Sequence, residues 1–375
     1  MNSLERMMAA VNGEPFDSYP FVNPYPYWSM MPHWPELTGL TFLHADYGSD
    51  EERLRCARTL RESLGLDWLP ILWGACGLDE QYRIETEDGA PTLVTLATGA
   101  RRKYDELPID APVTKRKYDS AREVESLPPP ATAEELLAGH TFDITRRQVA
   151  EMGEEAFLFL AVESPFSACF RALTFEGLYD AVITNPELVH AIAARETETL
   201  IQYITAVAQI GVHGVRMNEH PSGADLLSEK HYLEFLFPYD KKIFQAARDA
   251  GLVAILEYLG WVEPRLPHFA KLELNCLQTE SSLKGYRNDI AEYRRVLGEE
   301  VCLFGNSPIR QVIELGDDEA WRQDAREQAR GIGEQRRYAI CAGSPTTWAT
   351  GPERLRRFGE FMRQELAQLA PPRAG

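Results

Sequence analysis

The chain has 375 residues, 44% apolar and 26% charged, with 39 Lys+Arg against 57 Asp+Glu and a formal net charge of −18. That is ordinary globular composition, which excludes disorder and collagen. The acidity argues against nucleic acid, which needs clustered Lys and Arg, and no stretch approaches the roughly 18 apolar residues of a spanning helix.

Residues 3–11 place Leu4, Met7, Met8 and Val11 on one helical face, and Gly13 ends the helix. Glu5 and Arg6 interrupt that opening segment, so it lacks the apolar run of a signal peptide, and a cytoplasmic protein is expected. A short strand follows at 19–22, then a helix from Asp50 to Leu64 and a second strand at 67–73. From about 75 to 140 the rhythm changes. Alternating segments at 81–85 and 92–96, with Asp88-Gly89 and Thr98-Gly99 turn signals, predict a β-hairpin insertion closed by Pro128-Pro-Pro130. Its basic clusters, Arg101-Arg-Lys103 and Lys115-Arg-Lys117, read as a solvated surface among acids.

The alternation then resumes. Strands are predicted at 156–162, 212–218, 252–258, 272–277, 301–304 and 337–341. Helices are predicted near 175–182, 186–210, 229–249, 262–270, 286–297, 318–332 and 352–369. Eight strand-then-helix units predict an α/β fold, a (β/α)8 TIM barrel in one domain over 1–375, with the insertion after the second strand. An open doubly wound sheet is the alternative, weakened by the absence of a GxGxxG or GxxxxGK[ST] loop. The six cysteines are dispersed without a CxxC pair and read as reduced, buried residues.

In a barrel the chemistry lies at the C-terminal strand ends. Those ends offer Asn23 and Tyr25; Trp73; Glu163; Arg216, Asn218, Glu219 and His220; Glu257 and Tyr258; Asn275, Cys276, Gln278 and Glu280; Asn306; then Cys341 and Ser344. Neighbouring strand residues face opposite ways, so Glu219 and His220 cannot both face the mouth, nor can Glu257 and Tyr258. Glu257 is the most exceptional of these, a carboxylate ending the uncharged run 251–256. It reads as a general acid/base or a metal ligand, or as the partner of a structural ion pair with Arg216. Catalytic candidates are Glu257, Glu219 and Arg216. Candidates for binding a small substrate are Tyr25, Trp28, Trp73, Asn218, Tyr258, Gln278, Asn306 and Ser344, with Tyr27 as a further wall.

Several segments then resemble one family in order along the chain. These are 5–17 (ERMMAAVNGEPFD), 175–189, 227–239, Gly305-Asn306 and 350–355 (TGPERL). Together they resemble the uroporphyrinogen decarboxylase superfamily, nearer to its cobamide-dependent methyltransferase-like members than to true uroporphyrinogen decarboxylase. The resemblance implies a (β/α)8 barrel. The decarboxylases grip a porphyrinogen with arginines near the first strand and an aspartate. Here 20–28 has no arginine, and the aspartate position is similar to Gln278. The methyltransferases bind zinc through His-x-Cys and a late Cys, which here read Glu257, Leu259 and Ser344, so zinc is uncertain. The resemblance therefore implies an enzyme moving a methyl group between a small O- or N-methyl compound and a corrinoid carried by a partner protein. Glu257 would be its general acid or an oxygen ligand to a metal. The alternatives are a decarboxylase or other lyase on a small carboxylic acid held by Arg216, and a non-catalytic ligand-binding member.

Overall fold

A computed structural model describes residues 1–104, 115–282, 285–343 and 346–372. Eleven strands run in chain order: β1 (Phe21–Val22), β2 (Trp68–Pro70), β3 (Tyr82–Glu87), β4 (Ala90–Thr95), β5 (Ala100–Lys103), β6 (Phe157–Glu163), β7 (Gly214–Glu219), β8 (Val253–Tyr258), β9 (Cys276–Thr279), β10 (Cys302–Phe304) and β11 (Tyr338–Cys341). Eight of them form one parallel sheet in the order β1-β11-β10-β9-β8-β7-β6-β2. With helices on its outer face, this is a nearly closed TIM-type barrel.

The open seam lies between β1 and β2, and Asp67 spans it. Its N–H donates to the Phe21 carbonyl at 2.9 Å, and its carboxylate accepts the Phe21 N–H at 2.7 Å. Arg6 and Arg363 neutralise that buried carboxylate at 2.6 and 2.7 Å. Gly359 lets the last helix close over β1, because a Cβ there would stand 2.4 Å from the Phe21 ring.

The lumen is a packed core. Trp68, Phe157, Phe159, Val253, Ile255, Cys276, Cys302, Phe304 and Cys341 fill it, and Met7 and Val11 of the opening helix plug its lower end. The alternate residues of the same strands meet the surrounding helices in a second, larger core. Both faces are apolar, as parallel strands require.

Some elements differ from the sequence reading. The insertion carries three strands, β3, β4 and β5, paired antiparallel. On β5, Arg101 pairs with Glu85 and Glu87, and Lys103 pairs with Asp88, so that basic cluster is spent on its own sheet. β9 begins at Cys276 rather than at 272, because Glu273 takes a left-handed φ of 57° and ends the preceding turn. The 229–249 helix breaks at Leu236, ahead of Pro238. A helix over Pro165–Leu173, capped by Ser164, directly follows β6 and was not foreseen.

Candidate functional site

Glu257 ends the lumen row Val253-Ile255-Glu257 of β8 and is fully buried. Arg216 and Asn218 stand on the lumen row of β7, with Asn218 in register with Glu257. Four side chains donate to the Glu257 carboxylate. Oε2 accepts from Tyr25 OH at 2.7 Å, from Asn218 Nδ2 at 2.6 Å and from the Arg216 guanidinium; Oε1 accepts from Gln278 Nε2 at 3.2 Å. The Arg216 guanidinium also lies 4.5 Å from the centre of the Tyr25 ring.

The loop after β1 supplies Tyr25. Its φ of 50° is costly for a bulky L-residue and turns the phenol over Arg216. Burial, and then the Glu257 charge, push its hydroxyl well above the ordinary phenol value. The hydroxyl is therefore held as a protonated donor. Cys341 lies below, its thiol likewise raised by burial and by Glu257.

Tyr25, Asn218 and His220 are half-buried, whereas Glu257, Arg216 and Gln278 are buried. The first three are therefore the reachable part of the cluster, with Glu257, Arg216 and Gln278 as the floor beneath them. His220 follows β7 on the same row as Arg216 and Asn218. Burial lowers its imidazole pKa, with the Glu163, Arg171 and Glu257 charges around it. Glu163, at the end of β6, pairs with Arg171 at 2.7 Å. These two residues also line a cavity of about 320 Å³ beside the mouth, together with Lys117, Tyr118, Arg195 and Glu196.

Five sequence candidates thus come together: Tyr25, Arg216, Asn218, Glu257 and Gln278. Others lie elsewhere. Glu219 and Tyr258 are on the outward rows of β7 and β8, facing the helices. Tyr258 OH donates to the Ser222 carbonyl at 2.5 Å and its ring packs on Phe269. Trp73 packs outside the barrel between Phe142 and Tyr203, and Tyr27 is turned against Trp34. Asn306 is spent on the Asn288 carbonyl and Gln328, over a small cavity between β10 and the following helix. Trp28 sits at the exposed rim against Trp348. Ser344 lies outside the described residues.

His220, named at its strand end but not carried into the catalytic or binding candidates, is also at the mouth. Its signal was the alternation Arg216-Asn218-His220, which identifies the inward row once Arg216 is known to point inward.

The donor set does not fit the zinc that the resemblance implies. Arg216 occupies the flank of Glu257 that a cation would need, and Leu259 brings a hydrocarbon where a thiolate would stand. Among the described residues, no three His, Cys, Asp or Glu side chains are placed to hold a metal ion.

A parallel eight-stranded barrel with polar side chains gathered at its C-terminal mouth is the architecture of a TIM-barrel enzyme scaffold. The profile described as Uroporphyrinogen decarboxylase (URO-D) matches residues 92–365, and the chain belongs to that family. It is 23% identical over 191 residues to a uroporphyrinogen decarboxylase of Chlorobium luteolum, covering 49% of this chain and 51% of that one. It is 21% identical over 164 residues to a methylated-thiol–coenzyme M methyltransferase of Methanosarcina mazei, covering 44% and 42%. The chain thus spans about half the length of the curated relatives it matches. Its fold is that of a solved methyltransferase from Methanosarcina mazei, with a TM-score of 0.70, 17% identity and coverage of 97% of this chain and 99% of that one.

Proposed function

We propose that this protein is a methyltransferase-like enzyme of its superfamily, moving a methyl group between a small O- or N-methyl compound and a corrinoid carried by a partner protein. The carrying observation is the Glu257 carboxylate, buried at the mouth and held by four donors beneath the half-buried Tyr25 ring. A half-buried aromatic ring beside a paired carboxylate suits a small neutral or cationic methyl compound. The sequence likeness to a methylated-thiol–coenzyme M methyltransferase supports the same reading.

The corrinoid would supply the cobalt that accepts or returns the methyl group. This chain supplies the geometry. Arg216 keeps Glu257 in place, and Glu257 in turn fixes Tyr25 and Asn218 toward the substrate. Glu257 is held by donors, so it acts by positioning these groups, and the Tyr25 ring and the Asn218 amide are the parts of the cluster that face the substrate. The lyase alternative asks Arg216 to hold a substrate carboxylate, but that guanidinium is 3% exposed and already paired.

The test is methylation of free cob(I)alamin, followed by its absorbance, with a panel of small O- and N-methyl compounds. Methylcobalamin formed by the wild type and reduced at least about tenfold in Tyr25→Phe is the expected result. Release of carbon dioxide from small carboxylic acids, with no methyl transfer, would overturn the reading.

A further inference from the structure

Glu257 sets the direction of two amides at the mouth. Asn218 on β7, Glu257 on β8 and Gln278 on β9 stand in register on three adjacent strands, so an amide flanks the carboxylate on each side. A carboxylate paired with a guanidinium can only accept hydrogen bonds, so each amide turns its nitrogen toward it and its oxygen away. Asn218 Nδ2 donates to Glu257 Oε2 at 2.6 Å, and Gln278 Nε2 donates to Glu257 Oε1 at 3.2 Å. Flipping either amide would set oxygen against oxygen.

The amide oxygens are left over. Gln278 Oε1 is buried and has no hydrogen-bond partner among the described residues. Asn218 makes its side-chain hydrogen bonds through Nδ2 alone, the second of them to the Tyr25 hydroxyl at 2.5 Å, so among the described residues its Oδ1 meets no donor. Asn218 is half-buried, whereas Gln278 is 1% exposed, which makes Oδ1 the acceptor that an incoming molecule reaches. Glu163, next to Asn218 in register on β6, brings a second carboxylate to the same rim, where Arg171 pairs with it. The one hydroxyl of the cluster, that of Tyr25, is committed to Glu257 at 2.7 Å. The cluster therefore offers an acceptor to a ligand and keeps its phenolic proton on the floor.

We propose that Asn218 determines the specificity of the mouth and that the substrate is a protonated N-methylamine whose N–H donates to Asn218 Oδ1. A hydrogen bond from a charged donor is among the strong ones. A methyl ether or a quaternary ammonium brings no donor and leaves the oxygen unpaired, the kind of mismatch that polar sites reject most sharply. In the transfer, the bond between the methyl carbon and nitrogen breaks and its electron pair stays on nitrogen. The nitrogen keeps the proton it brought, so the amine departs neutral and the protein supplies no proton. The methyl group passes to the electron pair of its reduced corrinoid acceptor. That step rests on the methyl-transfer reading; the ammonium site does not. Glu257 is a positioning residue here, acting through the amide it orients.

Calorimetric titration of the full chain with trimethylammonium and tetramethylammonium chlorides, without a corrinoid, tests the site. The two cations carry the same charge, and only the first has an N–H. The wild type should bind trimethylammonium at least about tenfold more tightly. Asn218→Leu, which replaces the amide with a hydrocarbon of similar size, should bring the two affinities within about twofold of each other. Should that variant not fold, Asn218→Ala takes its place with the same expectation. Equal affinities in the wild type, no binding of either cation, or a preference that survives in the variant and so reflects size alone would each overturn the proposal. Methyl transfer to cob(I)alamin is read separately. Binding as expected with no transfer from any methyl compound would leave the ammonium site standing and overturn the methyl-transfer reading. Transfer from O-methyl compounds without ammonium binding would uphold that reading and overturn the proposal.

Discussion

Glu257 and Glu219 belong to adjacent strands, one register step apart, and lie on opposite faces of the same barrel wall. On the inner face Glu257 is met by a guanidinium, a phenol and two amides. On the outer face Glu219 is buried and, among the described residues, has neither a hydrogen-bond nor a salt-bridge partner. The inner site keeps its charge by pairing it, and the outer site sheds charge by holding a proton. The wall between them is a single strand thick, so the fold sets a paired carboxylate and an unpaired one back to back.

The largest effect should come from breaking the inner pair. Arg216→Leu strands the Glu257 charge in the lumen and should cost about 3–5 kcal/mol in urea unfolding. Glu257→Gln leaves Arg216 unpaired and should cost a comparable amount. The double variant Arg216→Leu/Glu257→Gln should recover part of the loss. Equal costs for the single and double variants would show that the pair is not coupled.

The outer site should appear as a pH dependence. Its carboxyl is raised in the folded protein from the ordinary 4.5 to about 7. Across that window the folded chain holds a proton that the unfolded chain has released. The contribution is intact below the ordinary carboxylate range and is lost as pH rises through about 7, an effect on the order of 3 kcal/mol. Unfolding at a series of pH values should show Glu219→Gln with a shallower decline than the wild type. An unchanged slope would place the proton elsewhere.

These two faces also mark how far the sequence could be read. The order of strands and helices was legible because each strand is a short apolar run and each helix start carries a cap, as at Asn185-Pro186 and Ser228-Glu229. Alternation separated Glu257 from Tyr258 and Glu219 from His220. It could not say which of each pair faced inward, because both faces of a parallel strand are apolar. For that reason Tyr258 and Glu219 entered the catalytic and binding candidates, and His220, named at the same strand end, did not. Trp73 and Asn306 follow their strands at the barrel ends, where loop geometry sets direction and sequence period carries no information. The seam residue Asp67 gave no signal either, since its partners Arg6 and Arg363 are remote in the chain.

Smaller effects sharpen the same contrast. Tyr25→Phe removes one donor to Glu257 and should cost about 1–2 kcal/mol in stability, with the loss of transfer already described. Tyr258→Phe removes a hydrogen bond of similar length on the outward row. It should cost about 1 kcal/mol and leave turnover within about twofold of the wild type, as thermal unfolding and initial rates would show.

The most direct measurement is the rate of cob(I)alamin methylation by small O- and N-methyl compounds in wild type, Tyr25→Phe and Tyr258→Phe side by side. The account predicts methylcobalamin from the wild type, a loss of at least about tenfold in Tyr25→Phe, and a near-normal rate in Tyr258→Phe. Equal losses in the two variants, or carbon dioxide release without methyl transfer, would contradict it.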